Sequence, residues 1–207
     1  MILTLKNLLP ALLIATTLTL AVNQEPGRAQ QSDPVVIMQT TKGTMAIRVY
    51  VNMVPTTARN FLDLVSRGFY DGKSFHRVET WCIQGGDPNG NGQGSFVDPA
   101  TGRTRYIPLE INRSLHHSAA GVVAMARSDN PNSASCQFYI LKKPMTQLDG
   151  QYAIFGGVVK GLSTIYGIAP GDRIVHAEIV NGGGGSGTVS SSPSTQPTST
   201  PTGPSGF

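Results

Sequence analysis

The chain has 207 residues, which is enough for one domain with terminal extensions and short for two. Apolar residues make up 39% of the chain, so it can form a buried core, whereas charged residues make up only 14%. The net charge of +4 comes from scattered basic residues without a Lys/Arg run, and this gives no support for nucleic-acid binding.

The first 29 residues are typical of an export signal. Lys6 supplies a positive charge, and residues 8–22 are apolar apart from three threonines. A stretch of about 15 residues suits a signal-peptide core better than the roughly 20 residues of a membrane span. Gly27 and Ala29 have the spacing of a cleavage site, so we predict a signal peptide at 1–29, with an uncleaved anchor as the alternative. We expect that the mature protein is not attached to a membrane. The periplasm is the favoured compartment, and the thylakoid lumen and the extracellular medium are the alternatives.

The chain is predicted to fold over residues 30–180 and to change character after them. Residues 181–207 are mostly Gly, Ser, Thr and Pro and carry no charge. Such a segment buries too little apolar surface to offset the entropy of ordering it. We interpret it as a disordered tail.

The predicted domain opens with a hairpin, in which β-prone residues 35–39 and the alternating segment 44–51 flank a turn. A helix follows, with Pro55 in its first turn, Phe61 on its apolar face and Gly68 at its end. The remaining predicted elements are strands at 74–78, 81–84, 121–125, 137–142 and 152–159, a weaker helix at 161–168 and a last strand at 174–180. Many short strands with only two helices favour a closed sheet or a sandwich over a parallel α/β fold.

Three segments carry a more specific signal. They are FHRV at 75–78 with QGGDP at 84–88, VAMAR at 123–127 with SASCQFYI at 133–140, and LDGQYAIFG at 148–156. In this order they resemble the cyclophilin family of peptidyl-prolyl cis/trans isomerases, over about residues 35–180. The resemblance implies a mainly β fold, a closed eight-stranded antiparallel barrel capped by two helices. It also implies a monomeric isomerase without cofactor or metal, whose partners are proline-containing unfolded or exported polypeptides.

The resemblance also implies the site. Arg77 matches the family's catalytic arginine, whose permanently charged guanidinium offers five donors in a fixed fork, and Gln84 matches the glutamine that orients it. The other matching positions form an apolar proline pocket with Tyr139 as its floor, and a set that binds the substrate backbone: Trp81, Cys82, Tyr139 and Leu148 for the pocket, and Ala126, Arg127 and Gln137 for the backbone. Arg127 stands where many members carry Asn.

The sequence departs from the family pattern at two places. Six residues separate Arg77 from Gln84, whereas the family usually has seven, including a Pro-Gly pair. Gln147 occupies a site where eukaryotic members often carry a Trp that packs on cyclosporin and donates a hydrogen bond to it. Because a Gln offers neither the flat apolar face nor the indole N–H, we expect weak cyclosporin binding.

Other interpretations of these residues stay open. A binding module or chaperone that holds proline-containing segments is the alternative to an enzyme, suggested by the short turn and by Cys82. Alternation along the strand predicts that His76 points away from the face of Arg77, and no histidine spacing suggests a metal site. Whether Cys82 and Cys136 form a disulfide cannot be decided from the sequence.

Overall fold

A computed structural model describes residues 32–180. The predicted signal peptide at 1–29 and the predicted tail at 181–207 lie outside these residues. The strands are β1 (Val35–Thr40), β2 (Gly43–Val49), β3 (Phe75–Val78), β4 (Cys82–Gly85), β5 (Val97–Asp98), β6 (Arg103–Thr104), β7 (Val122–Met125), β8 (Phe138–Leu141), β9 (Ile154–Lys160) and β10 (Ile174–Val180). The helices are α1 (Pro55–Ser66), a 3-10 turn (Thr146–Leu148) and α2 (Thr164–Gly167).

Eight of the strands form one antiparallel sheet in the order β10-β1-β2-β9-β7-β8-β4-β3, and β5 and β6 form a separate hairpin. The two edge strands approach each other where both begin, at a bridge between Ser74 and Arg173 that is flanked by backbone hydrogen bonds from Phe75 to Asp172 and from Ile174 to Lys73. From that bridge the antiparallel strands β3 and β10 run in opposite directions, so no ladder forms between them. The mainly β fold with two helices is confirmed, but the sheet is an open, curled half-barrel, and the prediction of a closed barrel is corrected.

Helix α1 fills the concave side of the sheet. Pro55 occupies the start of the helix, and the backbone N–H of Gly68 donates to the carbonyl of Val65 just beyond its end, as the sequence predicts. The fully buried ring of Phe61 lies 5.7 Å from that of Phe138 on β8 and 4.8 Å from that of Phe155 on β9. Aromatic contacts of this kind join the helix to the middle of the sheet.

The central strands bury both of their faces, because successive side chains point to opposite sides of a sheet. Ile83, Phe138 and Ile140 belong to the large core under α1. Residues that alternate with them on β4 and β8 join one residue each of β7 and β9 in a smaller apolar cluster on the outer side of the sheet: Cys82, Tyr139, Leu141, Ala124 and Ile154. This outer cluster gives the convex side of the sheet an apolar platform.

Most predicted elements lie where the sequence places them. The weaker helix expected over 161–168 is the four-residue α2, while the β5–β6 hairpin and the 3-10 turn were not predicted. Among residues 32–180, no helix is long and apolar enough to cross a membrane.

Candidate active site

A β-bulge determines where Arg77 lies. Phe75 pairs with Gly85 and Arg77 pairs with Gln84, so His76 is an extra residue without an opposite partner. A bulge of this kind re-aims the side chains that follow it. Phe75 therefore packs in the core under α1, while Arg77 joins Gln84 on the outer face. The strict alternation that the sequence suggests through His76 does not hold here.

A chain of hydrogen bonds orients Arg77, and its donors and acceptors can be assigned in only one way. The side-chain amide of Gln137 donates to the carbonyls of Gly92, at 3.0 Å, and Gly94, at 2.8 Å. Its oxygen therefore accepts from Gln84 Nε2 at 2.9 Å, which leaves the Gln84 oxygen to accept from Arg77 Nη1 at 3.3 Å. Because carbonyls can only accept, the loop fixes both amides in the orientation that the arginine needs.

The short turn between β3 and β4 supplies two more contacts to the arginine. Glu79 accepts a hydrogen bond from Arg77 Nε at 3.3 Å, and the guanidinium carbon lies 5.3 Å from the centre of the Trp81 ring. The turn closes when the backbone N–H of Glu79 donates to the carbonyl of Cys82 at 2.8 Å. Arg77 is thus held on three sides, yet its side chain is 47% exposed and can reach a ligand.

Aromatic rings line a shallow apolar surface beside Arg77. Tyr139 lies at its base and is only 3% exposed. Trp81 and Tyr152 approach the Tyr139 ring edge-on, with centroid distances of 6.0 and 5.8 Å. Leu148 packs against the same cluster. The sequence did not single out Tyr152, although it falls within the third family-like segment.

A buried relay of hydrogen bonds lies beneath this surface. The fully buried ring of His117 stacks on Tyr139 at an interplanar angle of 14°, and its Nε2 lies 2.8 Å from the tyrosine hydroxyl oxygen. Its Nδ1 lies 2.9 Å from a carboxylate oxygen of Asp149, and its backbone N–H donates to the same oxygen at 2.7 Å. Since the carboxylate can only accept, Nδ1 carries the proton and Nε2 accepts from the tyrosine. No signal in the sequence connects these three residues.

Burial and hydrogen bonding set the protonation of this relay. Burial lowers the pKa of His117 more than Asp149 raises it, so the imidazole is neutral at pH 7. Burial also raises the pKa of Tyr139 far above its usual range. Desolvation raises the pKa of Asp149, but hydrogen bonds from the backbone and ring of His117 and from the ring of His116 outweigh it and lower the pKa to about 2.

Cys82 supports the pocket from below. It has no exposed surface, and Tyr139 belongs to the same apolar cluster. Both cysteines are free, and burial raises the pKa of each thiol to about 11, which keeps them unreactive. Cys82 pairs with Leu141 on β8, whereas Cys136 lies five positions before Leu141, just ahead of that strand, which is about 16 Å along an extended chain. A disulfide allows only about 4.4–6.8 Å between Cα atoms, so this fold excludes the pairing.

A polar cavity of about 370 Å³ adjoins the aromatic surface. Four residues predicted for the site line it: Gln84, Ala126, Arg127 and Gln137. The site predicted from sequence is therefore one continuous region with an apolar half and a polar half, and Arg77 stands at its edge beside Gln84. Among residues 32–180, no group of three or more His, Cys, Asp or Glu side chains is arranged to hold a metal ion.

This fold and site can be compared with known proteins. A family model described as "Cyclophilin type peptidyl-prolyl cis-trans isomerase/CLD" matches residues 35–183. The chain belongs to the cyclophilin family of peptidyl-prolyl cis-trans isomerases. The match confirms both the predicted family and the predicted enzyme class.

Individual cyclophilins show the extent of the similarity. A peptidyl-prolyl cis-trans isomerase of Arabidopsis thaliana is 39% identical over 142 residues, which cover 67% of this chain and 82% of that protein. A putative thylakoid lumen isomerase of Synechocystis is 36% identical over 178 residues, covering 71% of this chain and 47% of that protein. The crystal structure of a Cryptosporidium parvum cyclophilin, solved in the presence of the dipeptide Ala-Pro, matches with a TM-score of 0.65 and 29% identity. That match covers 70% of this chain and 98% of the parasite chain.

The low pKa of Asp149 predicts how stability depends on pH. A carboxyl whose folded pKa lies near 2 stabilises the folded state above the unfolded value of about 3.9, and this contribution is lost as pH falls from about 4 to about 2. Asp149→Asn should therefore lower the free energy of unfolding at pH 7, and its difference from the wild type should shrink towards pH 2. Urea unfolding across this range measures it, with Asp129→Asn correcting for the loss of one charge. A difference that stays constant with pH would contradict the role of the relay.

Proposed function

We propose that this cyclophilin rotates X-Pro bonds on the outer face of the sheet, with Arg77 as the catalytic residue. Amide resonance gives a peptide bond a rotational barrier of about 18–20 kcal/mol, and an X-Pro bond takes tens to hundreds of seconds to interconvert unaided. A donor aimed at the proline nitrogen weakens the resonance as that nitrogen becomes pyramidal. No covalent bond breaks, so the reaction needs no nucleophile.

The hydrogen-bond chain that ends at Arg77 carries this proposal. Catalysis requires a donor that is already positioned before the bond twists, because reorganising it during the reaction would cost part of the gain. Gln84 and Gln137 connect Arg77 to fixed backbone carbonyls, while Glu79 and Trp81 restrict it from the other side. The exposed part of the guanidinium is left to face the substrate.

The aromatic surface is suited to hold the proline ring. Trp81 and Leu148 are partly exposed apolar side chains packed on the cluster of Tyr139, and Tyr152 extends this surface. Cys82 contributes from beneath, through its packing in the cluster of Tyr139. Ala126, Arg127 and Gln137, on the polar side, are assigned to the substrate backbone.

A binding module without turnover is the second candidate. The short turn and Cys82 suggest it, because both alter the apolar pocket relative to the family pattern. Binding alone would not need an arginine held by a three-step chain of hydrogen bonds, and so the enzyme is favoured. The two candidates differ in whether Arg77 matters for rate more than for affinity.

We further propose that the enzyme is a monomer that acts on exported, proline-containing polypeptides. The signal-like residues 1–29 support export, and the Synechocystis relative is described as a putative thylakoid lumen protein. The Cryptosporidium relative crystallised in the presence of Ala-Pro supports a proline-containing ligand. The periplasm is the compartment that we favour.

The catalytic role of Arg77 is tested by Arg77→Ala in the full chain. Removal of one preorganised donor is expected to lower kcat/KM for an Ala-Pro peptide by about a hundredfold or more. NMR exchange spectroscopy measures the rate, and titration of the same peptide measures affinity. The matched control is Arg59→Gln on the solvent side of α1, which should keep the wild-type rate. A wild type that binds the peptide without accelerating it would favour the binding module.

Cyclosporin binding is expected to be weak because the exposed Gln147 offers no indole. Gln147→Trp should tighten the affinity by about tenfold or more, whereas Gln147→Leu, which adds apolar area without a donor, should recover only part of this gain. Calorimetric titration of the three proteins measures the difference. Nanomolar binding by the wild type would disprove the expectation.

Export predicts a processed N-terminus. When the full chain is produced in a Gram-negative host, we expect the periplasmic fraction to contain a protein that starts at Gln30, as read by N-terminal sequencing. A double change of Leu12 and Leu13 to Arg interrupts the apolar run and should keep the precursor in the cytoplasm. Recovery of the intact chain in the membrane fraction would support the anchor alternative.

A further inference from the structure

Arg127 lies where the aromatic surface meets the polar cavity. It follows β7, lines the cavity, and places its guanidinium carbon 4.8 Å from the centre of the Tyr152 ring. A ligand that spans both halves of the site must pass close to it. The charge of Arg127 therefore acts on whatever flanks the proline in a bound peptide.

The guanidinium is held in place by backbone carbonyls. Nε donates to Gln151 at 3.0 Å, and Nη1 donates to Ser128 at 2.7 Å and to Asp129 at 3.2 Å. A side chain already fixed in this way loses little rotamer entropy when a ligand binds. Nη2 has no acceptor among residues 32–180, so at least one face of the fork remains available.

The positive charge of Arg127 lacks an acidic partner. Arg67, Arg77 and Arg105 each form an ion pair with a carboxylate. Within the described part of the chain, no Asp or Glu comes within ion-pair distance of Arg127, and it meets Asp129 through the backbone carbonyl only. An uncompensated cation that is half-buried attracts an anionic ligand.

The cavity itself offers nothing that would repel an acid. Its lining contains no carboxylate, and the polar side chains there other than Arg127 are amides and hydroxyls: Gln84, Gln93, Ser95, Tyr106, Ser128, Ser133, Ser135 and Gln137. Asp149, beneath the aromatic surface, is already bound by two histidines.

We propose that Arg127 makes this cyclophilin selective for X-Pro segments that carry an acidic side chain next to the proline. The inference rests on the proposed use of this site for proline-containing peptides. Arg127 binds the carboxylate through its free guanidinium edge. Members with a neutral Asn at this position would lack the preference.

The test compares peptides that differ only in charge. Ala-Pro peptides carry Glu, Gln or Lys two positions before, one position before, or one position after the proline, and NMR exchange spectroscopy gives kcat/KM for each with the full chain. At low ionic strength we expect Glu to exceed Gln by about fivefold at one of these positions at least. The ratio should fall towards one in 1 M salt, where the screening length is only about 3 Å.

Variants assign the preference to the residue. In Arg127→Gln the Glu/Gln ratio should approach one, and in Arg127→Glu the Lys peptide should become the better substrate. Arg59→Gln removes the same charge from α1 and should keep the wild-type ratio. If a variant does not fold, the salt dependence of the wild-type ratio still tests the proposal.

Two failures can be told apart. Equal rates for Glu and Gln peptides at all three positions, with normal turnover of both, would overturn the role of Arg127 and leave the isomerase intact. No turnover of any peptide would instead overturn the proposed function of the site. Titration with the same peptides would then show whether binding still favours Glu, and equal affinities would overturn the acidic preference as well.

Discussion

The register of three adjacent strands is the constraint on which the site depends. Arg77 on β3 lies opposite Gln84 on β4, and Gln84 lies opposite Tyr139 on β8. Directly opposed residues share a face of the sheet, so strand pairing places the guanidinium, the orienting amide and the base of the aromatic surface side by side. A slip of one residue at either pairing would turn one of the three into the core under α1. The bulge at His76 sets the first of these registers.

Two separate hydrogen-bond systems fix the two halves of the site. On the polar side, the carbonyls of Gly92 and Gly94 orient Gln137, which orients Gln84 and through it Arg77. On the apolar side, the carboxylate of Asp149 holds the proton of His117 on Nδ1, so that Nε2 accepts a hydrogen bond from the hydroxyl of Tyr139. Each system ends in a group that can only accept hydrogen bonds. This determines which atom donates and which accepts in every earlier hydrogen bond of the system. The cost of burying these polar groups is offset because each finds its partner.

How far the sequence can predict this molecule depends on the range of the interaction. Alternating segments and the Pro55 and Gly68 signals are local, and they place α1 and most strands correctly. The bulge at His76 places one unpaired residue within β3. The sequence of that strand shows no sign of it, so an analysis based on alternation cannot detect it. The relay joins His117 to residues 22 and 32 positions away, and adjacent histidines give no reason to expect it. Whether the sheet closes depends on where β3 and β10 begin relative to each other. These strands are far apart in the sequence, so no local pattern predicts it.

The short turn shows why family positions must be counted from the correct end. This chain has one residue fewer than the family pattern between Arg77 and Gln84. If family positions are counted forward from Arg77, each residue up to Gln84 is therefore assigned to the wrong position. The ladder continues unbroken on the other side, since Cys82 pairs with Leu141 and Gln84 with Tyr139. Cys82 therefore keeps the face of Gln84, and the missing residue is absorbed between Val78 and Ile83, which still pair with each other. The shorter connection is thus confined to the turn that carries Glu79, while β4 pairs regularly with β8 beneath the aromatic surface.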